Sequence, residues 1–481
     1  MGGIETDTDV RHIKRDMLAW TEAHKEAFYG IADKIWSNPE LSMQEYEASK
    51  LLCEALTDFG FEVERGVGGM PTAFIASSGS GRPVIGINCE YDALPGLSQA
   101  AHTTGKSPVI SGGPGHGCGH NLLGVGGVKA AAALRFVMEK HKLPGTIKVI
   151  GAPAEELCLG KPFLGKAGEL AGFDAFLDWH PWYFNAAGAF GAPAYFSVKY
   201  HYTGKTAHGN APWHGRSALD AALLQAHATE FLREHIDPGQ PPFAANTFNY
   251  TFADTGPEFP SVVPDRATIW YVGRFVTSDE AEDALRRIGK CAEGAAIATE
   301  TSVETEIIAV TNHRVPNETL AECVHANFVE LGPPVFTAEE NAEVRALQRA
   351  AGVPETALAS DILPMAGGYT PVSDVSEFSW NAPYAAASVA LGPDNTGWHH
   401  WTITACAAGS MGRKSMDKAA DIIAAAGIDL LTDPSVIARA RGELDERLAG
   451  KSYRCLLPED AKPPLDLNAD IMEKYRGTRS K

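Results

Sequence analysis

The sequence predicts an α/β protein, in which a main domain with a mostly parallel sheet flanked by helices carries an inserted open-faced βαββαβ sandwich. The chain has 481 residues, which is too long for one ordinary core. Strand, helix and strand patterns alternate over residues 83–156, as in parallel α/β layers. A compact βαββαβ order fills residues 193–310 before the chain returns to mixed α/β. We therefore predict three segments, 1–191, 192–313 and 314–481, with the middle one inserted.

The first predicted element is helical and covers residues 8–60. Apolar side chains such as Trp20, Ile31 and Ile35 recur at the three- and four-residue spacing of an amphipathic helix, and Gly60 ends the pattern. Two short runs rich in β-forming residues follow, "FEVERGV" and "TAFIASS".

The parallel layer is predicted from three consecutive runs. The apolar run "PVIGINCEYDALPG" indicates a buried strand that delivers Glu90 and Asp92 into a loop. A helix of small residues, "VKAAAALRFVMEKH", comes next, and the strand "TIKVIGAPAEE" then ends at Glu155 and Glu156. Because binding sites form at the carboxyl ends of parallel strands, both acidic pairs are predicted to lie at a site.

The inserted segment is predicted from a change of pattern after residue 192. "APAYFSVKYHYTG" alternates as a half-exposed strand, and the helix "GRSALDAALLQAHATEFLREH" follows it. The strands "NTFNYTFAD" and "RATIWYVGRFV", the helix "SDEAEDALRRIGKCAEGAAIATE" and the strand "TSVETEIIAV" complete the set.

Charge and cysteine content exclude some classes of function. The formal net charge is −19, from 41 Lys and Arg against 60 Asp and Glu, and this argues against nucleic acid as a partner, since binding it needs a basic face. The eight cysteines show no short-range framework and are typical of reduced thiols. No secretory signal and no membrane-spanning apolar run is visible in the sequence, so we expect a cytoplasmic protein.

The stretch "GHGCGHN" places a thiol and imidazoles in a glycine-rich turn. Cys118 lies two residues before His120 and two after His116. A thiolate with a nearby imidazole suits a divalent metal. Taken alone, the stretch is equally compatible with a glycine-rich turn carrying incidental histidines, or with a nucleophilic Cys118 served by His120 as a base.

Three later fragments carry further metal-binding side chains. Glu155 and Glu156 repel each other when buried, and a metal resolves this if one carboxylate ligates while the other acts as a general base. A solvated strand end is the alternative. "DAFLDWHPW" supplies His180, and "TGWHHWT" supplies His399 or His400, which point to opposite sides of an extended chain. Each histidine alone is compatible with a structural role.

Taken together, the fragments supply five donors if they converge, which spacing alone does not show. Five are too many for one tetrahedral zinc ion, but they fit two ions about 3.5–4 Å apart, as in two-metal hydrolases. The donors are Cys118, His120, Glu156, His180 and one of His399 and His400.

These motifs occur in an order that resembles the co-catalytic metallo-aminoacylase and carboxypeptidase family, in its amidohydrolase branch. The similarity covers nearly the whole chain and rests on "GHGCGHN", "PAEE", "WHP", "TGKTAHG", "GRSALDA" and a late His-x-Trp. It implies a catalytic domain with an inserted lid and dimerisation domain. It also implies a pair of divalent metal ions, Mn²⁺ or Zn²⁺, held by the matching positions Cys118, His120, Glu156, His180 and His399.

The resemblance also implies roles for other residues. Glu155 matches the carboxylate that takes a proton from the attacking water and passes it to the leaving amine. His208 matches a histidine that reaches the substrate, often across a dimer interface, and Asp92 matches an acid that orients the metal site. Glu90 stands where other branches carry His or Asp, which leaves open whether it touches a metal. Cys158 interrupts the glycine-rich stretch expected after the glutamates.

The implied substrate is an N-acyl amino acid, with p-aminobenzoyl-glutamate as the leading one and other N-acyl or indole-acyl amino acids or small peptides as alternatives. Arg274 and Arg216 are candidates to bind its carboxylate, although surface and helix-start roles compete. Four tryptophans are candidates for an aromatic acyl pocket: Trp179, Trp182, Trp213 and Trp401.

We expect a homodimer through the inserted domain, or a paired hydrolase subunit. A metal-independent cysteine hydrolase and a non-catalytic partner subunit are the other classes considered.

Overall fold

The computed structural model describes residues 7–240 and 244–476. Its helices are α1 Asp7–Ser37, α2 Tyr46–Asp58, α3 His120–His141, α4 Gly160–Lys166, α5 Ala218–Leu232, α6 Ser278–Thr299, α7 Glu318–Leu331, α8 Ala338–Ala351, α9 Ser376–Asn381, α10 Trp401–Cys406, α11 Gly409–Thr432, α12 Pro434–Leu448 and α13 Ala469–Arg476. Its strands are β1 Glu62–Arg65, β2 Phe74–Ser80, β3 Val84–Cys89, β4 Gly145–Gly151, β5 Ala175–Trp182, β6 Ala186–Ala187, β7 Ala189–Gly191, β8 Ala194–Thr203, β9 Gly239–Gln240, β10 Ala244–Ala245, β11 Thr247–Asp254, β12 Arg266–Phe275, β13 Ser302–Thr311, β14 Gly367–Tyr369 and β15 Tyr384–Ala390.

The main sheet has seven strands in the order β1-β2-β4-β3-β5-β15-β6. Its centre is parallel, because β4, β3, β5 and β15 all run in one direction. Both edges are antiparallel, through the pairs β1–β2, β2–β4 and β15–β6. The predicted α/β class is confirmed. The loops that carry the candidate donors follow the carboxyl ends of the four parallel central strands.

Helices cover both faces of this sheet. One face packs against α1, α2, α3, α7 and α11 in the largest apolar core. The other face packs against α4, α9 and the chain around Leu457. Of the described residues, α3 is long and apolar enough to span a membrane by length and composition, but 89% of its most apolar window is buried inside the protein. It therefore serves as a core helix between α1 and α11.

The helical stretch predicted for residues 8–60 is two helices, since residues 38–45 leave the helix between α1 and α2. Pro39 explains the break, because the residue before a proline disfavours helical geometry. Glu40, which lies outside both helices, stabilises the first turn of α2, since its carboxylate accepts hydrogen bonds from the backbone N–H groups of Glu47 (2.9 Å) and Ala48 (3.0 Å).

The second sheet has four antiparallel strands in the order β11-β12-β8-β13. Helices α5 and α6 pack on one of its faces around a separate apolar core, which gives the predicted βαββαβ sandwich. The chain enters and leaves this sheet at neighbouring points, because the N–H of Arg314 donates to the carbonyl of Ala192 at 2.9 Å. The domain boundaries at 191/192 and 313/314 stay a prediction.

Candidate metal centre

Four parallel strands bring the predicted donors to one edge of the main sheet. β3 leads into Glu90 and Asp92, β4 leads into Glu155, β5 contains His180, and β15 leads into the loop that carries His399. The carboxyl ends of parallel strands meet at one edge, so residues distant in sequence converge there.

The glycine-rich loop turns sharply just before α3. Gly119 has a φ of 79°, a backbone conformation that favours glycine, and it directly precedes His120. A Cβ at Gly119 would lie 3.0 Å from Cγ of Pro181, the residue after His180. Glycine therefore lets this loop approach the end of β5 closely enough for Cys118 and His180 to meet.

Two groups of three donors form around a shared thiol. Cys118, His120 and His180 are one group, and Cys118, Glu156 and His399 are the other; the ligand atoms of each group lie within 4.8 Å of one another. Cys118 Sγ lies 3.5 Å from His180 Nε2, and His399 Nε2 lies 3.2 Å from Glu156 Oε2. Glu90, His120 and Glu155 form a third such group without the thiol. Because the first two groups have Cys118 in common, the cluster offers positions for two neighbouring ions.

Further contacts orient the imidazoles. Asp92 Oδ1 lies 2.9 Å from Nδ1 of His120, and the carbonyl of Pro181 lies 2.6 Å from Nδ1 of His180. Each contact places the proton on Nδ1 and leaves the Nε2 lone pair for a metal. The other carboxylate oxygen of Asp92 accepts hydrogen bonds from Ser42 Oγ (2.8 Å) and from the backbone N–H of Glu156 (3.0 Å).

The donor set fits divalent cations. Nε2 of His120 and Oε1 of Glu156 are buried and have no hydrogen-bond partner among the described residues. Buried polar atoms without partners are costly, and cations bound at these atoms would remove the cost. Burial raises the pKa of Glu156 to about 8, and burial, together with Glu90, raises the pKa of Glu155 well above its usual range. A cation bound nearby would stabilise the ionised form of both carboxylates.

Two of the three donor histidines, His180 and His399, are already in the neutral form that binds metal. Burial lowers the pKa of His120, but Cys118, Glu156 and Asp92 outweigh burial and raise it well above its usual value. Burial, reinforced by the neighbouring His120, lowers the pKa of His180 to about 4, so its ring is neutral at pH 7. Burial also lowers the pKa of His399. His400 instead begins α10, where its side chain accepts from the backbone N–H of Thr402, so His399 is the one that faces Glu156. His116 contacts the carbonyl of Ile35 at 3.2 Å, away from the donors.

Glu90 is engaged by a buried lysine. Lys161 Nζ donates to Glu90 Oε1 at 2.7 Å and to Asp374 Oδ1 at 2.6 Å, and Asn88 Nδ2 also donates to Glu90 Oε1 at 2.8 Å. The second oxygen of Glu90 lies 3.6 Å from His120 Nε2. Lys161 therefore holds one oxygen of Glu90 in a salt bridge while the other faces the donors.

A cavity of about 580 Å³ opens onto the donors. Its lining joins donor residues to the carboxylate Glu155, to Arg274 and Arg314, and to an aromatic group. Within that group, the ring centroids of Trp182 and Trp398 are 4.7 Å apart, and Trp398 Nε1 donates to Cys118 Sγ at 3.2 Å. Cys158, the residue that departs from the family pattern, also lines the cavity.

Several predicted residues lie outside this lining. His208 is exposed, and the Nε of Arg216 donates to Glu300 at 2.6 Å, on the inserted sandwich. Trp179 and Trp401 are buried in the core, while Trp213 is exposed, so Trp182 is the one of the four predicted tryptophans in the lining.

Sequence reasoning missed Arg314, Trp398, Ser373 and Lys161. For Lys161 a signal existed, since it lies three residues after Cys158, at the end of the stretch that follows the two glutamates.

An α/β sheet with a cysteine, histidine and carboxylate cluster at its strand ends is the architecture of a metallohydrolase. Residues 86–406 match the model of peptidase family M20/M25/M40, and the chain belongs to this family. The predicted class of enzyme is confirmed by that membership.

Named relatives agree with this family. The chain is 33% identical to a subunit of p-aminobenzoyl-glutamate hydrolase from Escherichia coli (strain K12), over 92% of this chain and 97% of that protein. It is 31% identical to Xaa-Arg dipeptidase of Mus musculus, over 69% of this chain and 74% of that protein.

Solved structures share the fold. An aminobenzoyl-glutamate utilization protein from Klebsiella pneumoniae superposes with a TM-score of 0.57 at 16% identity, covering 86% of this chain and 98% of that one. A dinuclear metal-binding peptidase of the M20 family from Bacillus subtilis superposes with a TM-score of 0.54 at 17% identity, covering 85% and 99%.

Proposed function

We propose that this chain is a metal-dependent amidohydrolase that cleaves the amide bond of an N-acyl amino acid, with p-aminobenzoyl-glutamate as the leading substrate. One observation carries the proposal: two donor groups share Cys118 next to the carboxylate of Glu155, at the floor of a cavity lined by arginines and aromatic rings. The 33% identity to the Escherichia coli p-aminobenzoyl-glutamate hydrolase chain supports the choice of substrate.

Two divalent ions, Mn²⁺ or Zn²⁺, would be held by the five donors. In one group His120 and His180 lie beside Cys118, and in the other Glu156 and His399 lie beside it. The mixture of sulfur, nitrogen and oxygen donors suits borderline metals. When bound, such ions polarise the substrate carbonyl and make a water molecule more acidic.

Glu155 would move the proton in the reaction. Its Oε2 lies on the side of His120, at 3.8 Å from Nε2, so this oxygen faces the donor cluster. There it accepts a proton from the water whose oxygen adds to the substrate carbonyl carbon. The same proton then passes to the amide nitrogen as the carbon–nitrogen bond breaks, giving a carboxylic acid and a free amine. Asp92 keeps His120 in the required tautomer throughout.

The cavity would recognise both ends of the substrate. Arg274 and Arg314 supply guanidinium groups for the free carboxylates of an amino acid such as glutamate. The aromatic group at the donor end, which includes Trp182, Tyr183 and Trp398, suits an aryl acyl group. Other N-acyl or indole-acyl amino acids and small peptides fit the same description and form the second candidate class.

The active form is proposed to be a homodimer through the inserted sandwich. Leu223, Leu224 and Phe231 are exposed on α5, and β11 is an edge strand of the four-stranded sheet. His208 lies outside the cavity of its own chain, so a second copy is needed for it to donate a hydrogen bond to the substrate oxygen. A paired hydrolase subunit is the alternative, because the Escherichia coli relative is itself named as one subunit of its hydrolase.

Hydrolysis by the purified chain tests the proposal. Metal-restored protein is expected to release p-aminobenzoate from p-aminobenzoyl-glutamate, and Glu155→Gln is expected to lower kcat by about 10²–10⁴-fold. Glu139→Gln, on the surface of α3, is the matched control and should leave kcat and KM unchanged.

A Glu155→Gln protein with normal turnover would contradict the mechanism. Activity that survives chelation but not iodoacetamide would indicate Cys118 as a nucleophile instead. Inactivity that a second subunit cures would indicate a hetero-oligomer.

A further inference from the structure

We propose that Ser373 is a positioning residue that fixes the orientation of Glu155, and this proposal rests on the function proposed above. Ser373 Oγ donates a hydrogen bond to Glu155 Oε1 at 2.6 Å, across 218 positions of sequence. The other oxygen of the same carboxylate, Oε2, is the one that lies 3.8 Å from His120 Nε2. The two oxygens of Glu155 therefore have different surroundings, and Ser373 decides which one faces the donors.

The direction of this hydrogen bond follows from the neighbours of the hydroxyl. Ser373 Oγ accepts a hydrogen bond from the backbone N–H of Val375 at 3.3 Å. A serine hydroxyl has one proton to donate and lone pairs to accept with. A carboxylate oxygen and a backbone N–H cannot exchange roles, so the N–H of Val375 takes a lone pair of the hydroxyl and the single proton of Ser373 points to Glu155.

A buried ion pair holds Ser373 in place. The next residue, Asp374, is fully buried, and its carboxylate accepts from the Nζ of Lys161 at 2.6 Å and from the backbone N–H of Lys161 at 3.1 Å. Ser376 Oγ also donates to the carbonyl of Ser373 at 2.8 Å. Lys161 lies in α4, five residues after Glu156, so the segment that orients Glu155 is anchored to the same end of the sheet.

The physical consequence concerns turnover more than binding. A carboxylate with one oxygen held has a fixed rotamer, so Oε2 stays within reach of the reacting water. Without the hydroxyl, Glu155 is free to rotate and Oε1 loses its partner. Ser373→Ala should therefore lower kcat about 10- to 100-fold, because hydrogen bonds to charged groups are strong and small misplacements of a catalytic group are costly.

Three variants and two kinds of measurement test the proposal. Ser373→Ala removes the hydroxyl and Ser373→Thr keeps it. Ser379→Ala is the matched control, since Ser379 is fully buried in α9 and bonded to Ser376 and Val315, away from Glu155. For Ser373→Ala we expect the loss in kcat with KM within about twofold of wild type. Metal content and affinity, measured by mass spectrometry and calorimetry, should not change. Ser373→Thr should recover most of kcat, and Ser379→Ala should keep it.

The outcomes separate this proposal from the proposed function. If wild type is active and Ser373→Ala keeps its kcat, or if Ser373→Thr is no better than Ser373→Ala, the positioning role is wrong. If wild type hydrolyses no acyl amino acid, the proposed function fails. Crystal structures of wild type and Ser373→Ala then still decide the role of Ser373, because an unchanged Glu155 rotamer would overturn it.

Discussion

Lys161→Met is expected to destabilise the protein severely. The Nζ of Lys161 is fully buried and donates to Glu90 at 2.7 Å and to Asp374 at 2.6 Å, and each of these carboxylates is at most 1% exposed. Burial lowers the pKa of Lys161, but Asp374 and Glu90 outweigh burial and hold it above its usual range, so the ammonium is charged. Removing one partner of a buried ion pair costs about 3–5 kcal/mol of unfolding free energy, because a charge stays buried without compensation. Here two carboxylates lose their partner.

Urea unfolding of the chelated proteins, followed by circular dichroism, measures this cost without a contribution from metal binding. Lys290→Met, on the exposed side of α6, is the matched control and should lie within about 0.5 kcal/mol of wild type. The triple variant Lys161→Met, Glu90→Gln, Asp374→Asn removes all three charges and should recover most of the loss. A Lys161→Met protein within about 1 kcal/mol of wild type would refute the reasoning that this ion pair is an essential buried contact.

Three further predictions concern substrate binding, pH and metal. Arg314→Ala should raise KM for p-aminobenzoyl-glutamate at least about tenfold in steady-state kinetics with little change in the melting temperature, and an unchanged KM would remove Arg314 from the carboxylate site. Burial, reinforced by Lys451, lowers the pKa of His313 to about 4, and its Nδ1 accepts from the N–H of Ser278 at 3.0 Å. As the pH falls, the histidine of the unfolded chain takes up its proton before that of the folded protein does. About 3 kcal/mol of unfolding free energy should therefore be lost as the pH falls from 6.5 towards 4. His313→Gln should flatten that part of the stability profile, and a profile identical to wild type would contradict this assignment. Chelation should lower the melting temperature and the return of Mn²⁺ or Zn²⁺ should restore it, whereas equal melting temperatures would show that no ion binds the folded state.

The fold was predictable because its strongest signals are local. The run before Glu90 is apolar except for Asn88, as in strands buried on both faces. The alternation in β8 and β12 reflects one buried face each. The antiparallel edges of the main sheet were missed because strand direction depends on pairing partners, which a single run of residues does not contain. The helix break at Pro39 was missed because the apolar spacing resumes beyond it.

The candidate donors could be picked out from the sequence because they stand in short motifs: Cys118 and His120 in a glycine-rich turn, Glu156 just after β4, His180 in β5, and His399 between two tryptophans. What the sequence did not contain is which side chains from other segments reach them. Ser373 contacts Glu155 from 218 positions away, and Trp398 donates to Cys118 across 280 positions. Arg274 was predicted at the substrate site and lines the cavity, whereas Arg216, an equal candidate by chemistry, pairs with Glu300 instead. Only the packing of the inserted sandwich distinguishes these two arginines.

A metal titration of chelated enzyme tests the central claim most directly. The purified chain is stripped of metal and Mn²⁺ or Zn²⁺ is returned in measured equivalents while p-aminobenzoate release is followed. The five donors predict no activity in the stripped protein and a maximum at about two equivalents per chain. Full activity without metal would contradict the account, and so would a maximum reached at about one equivalent.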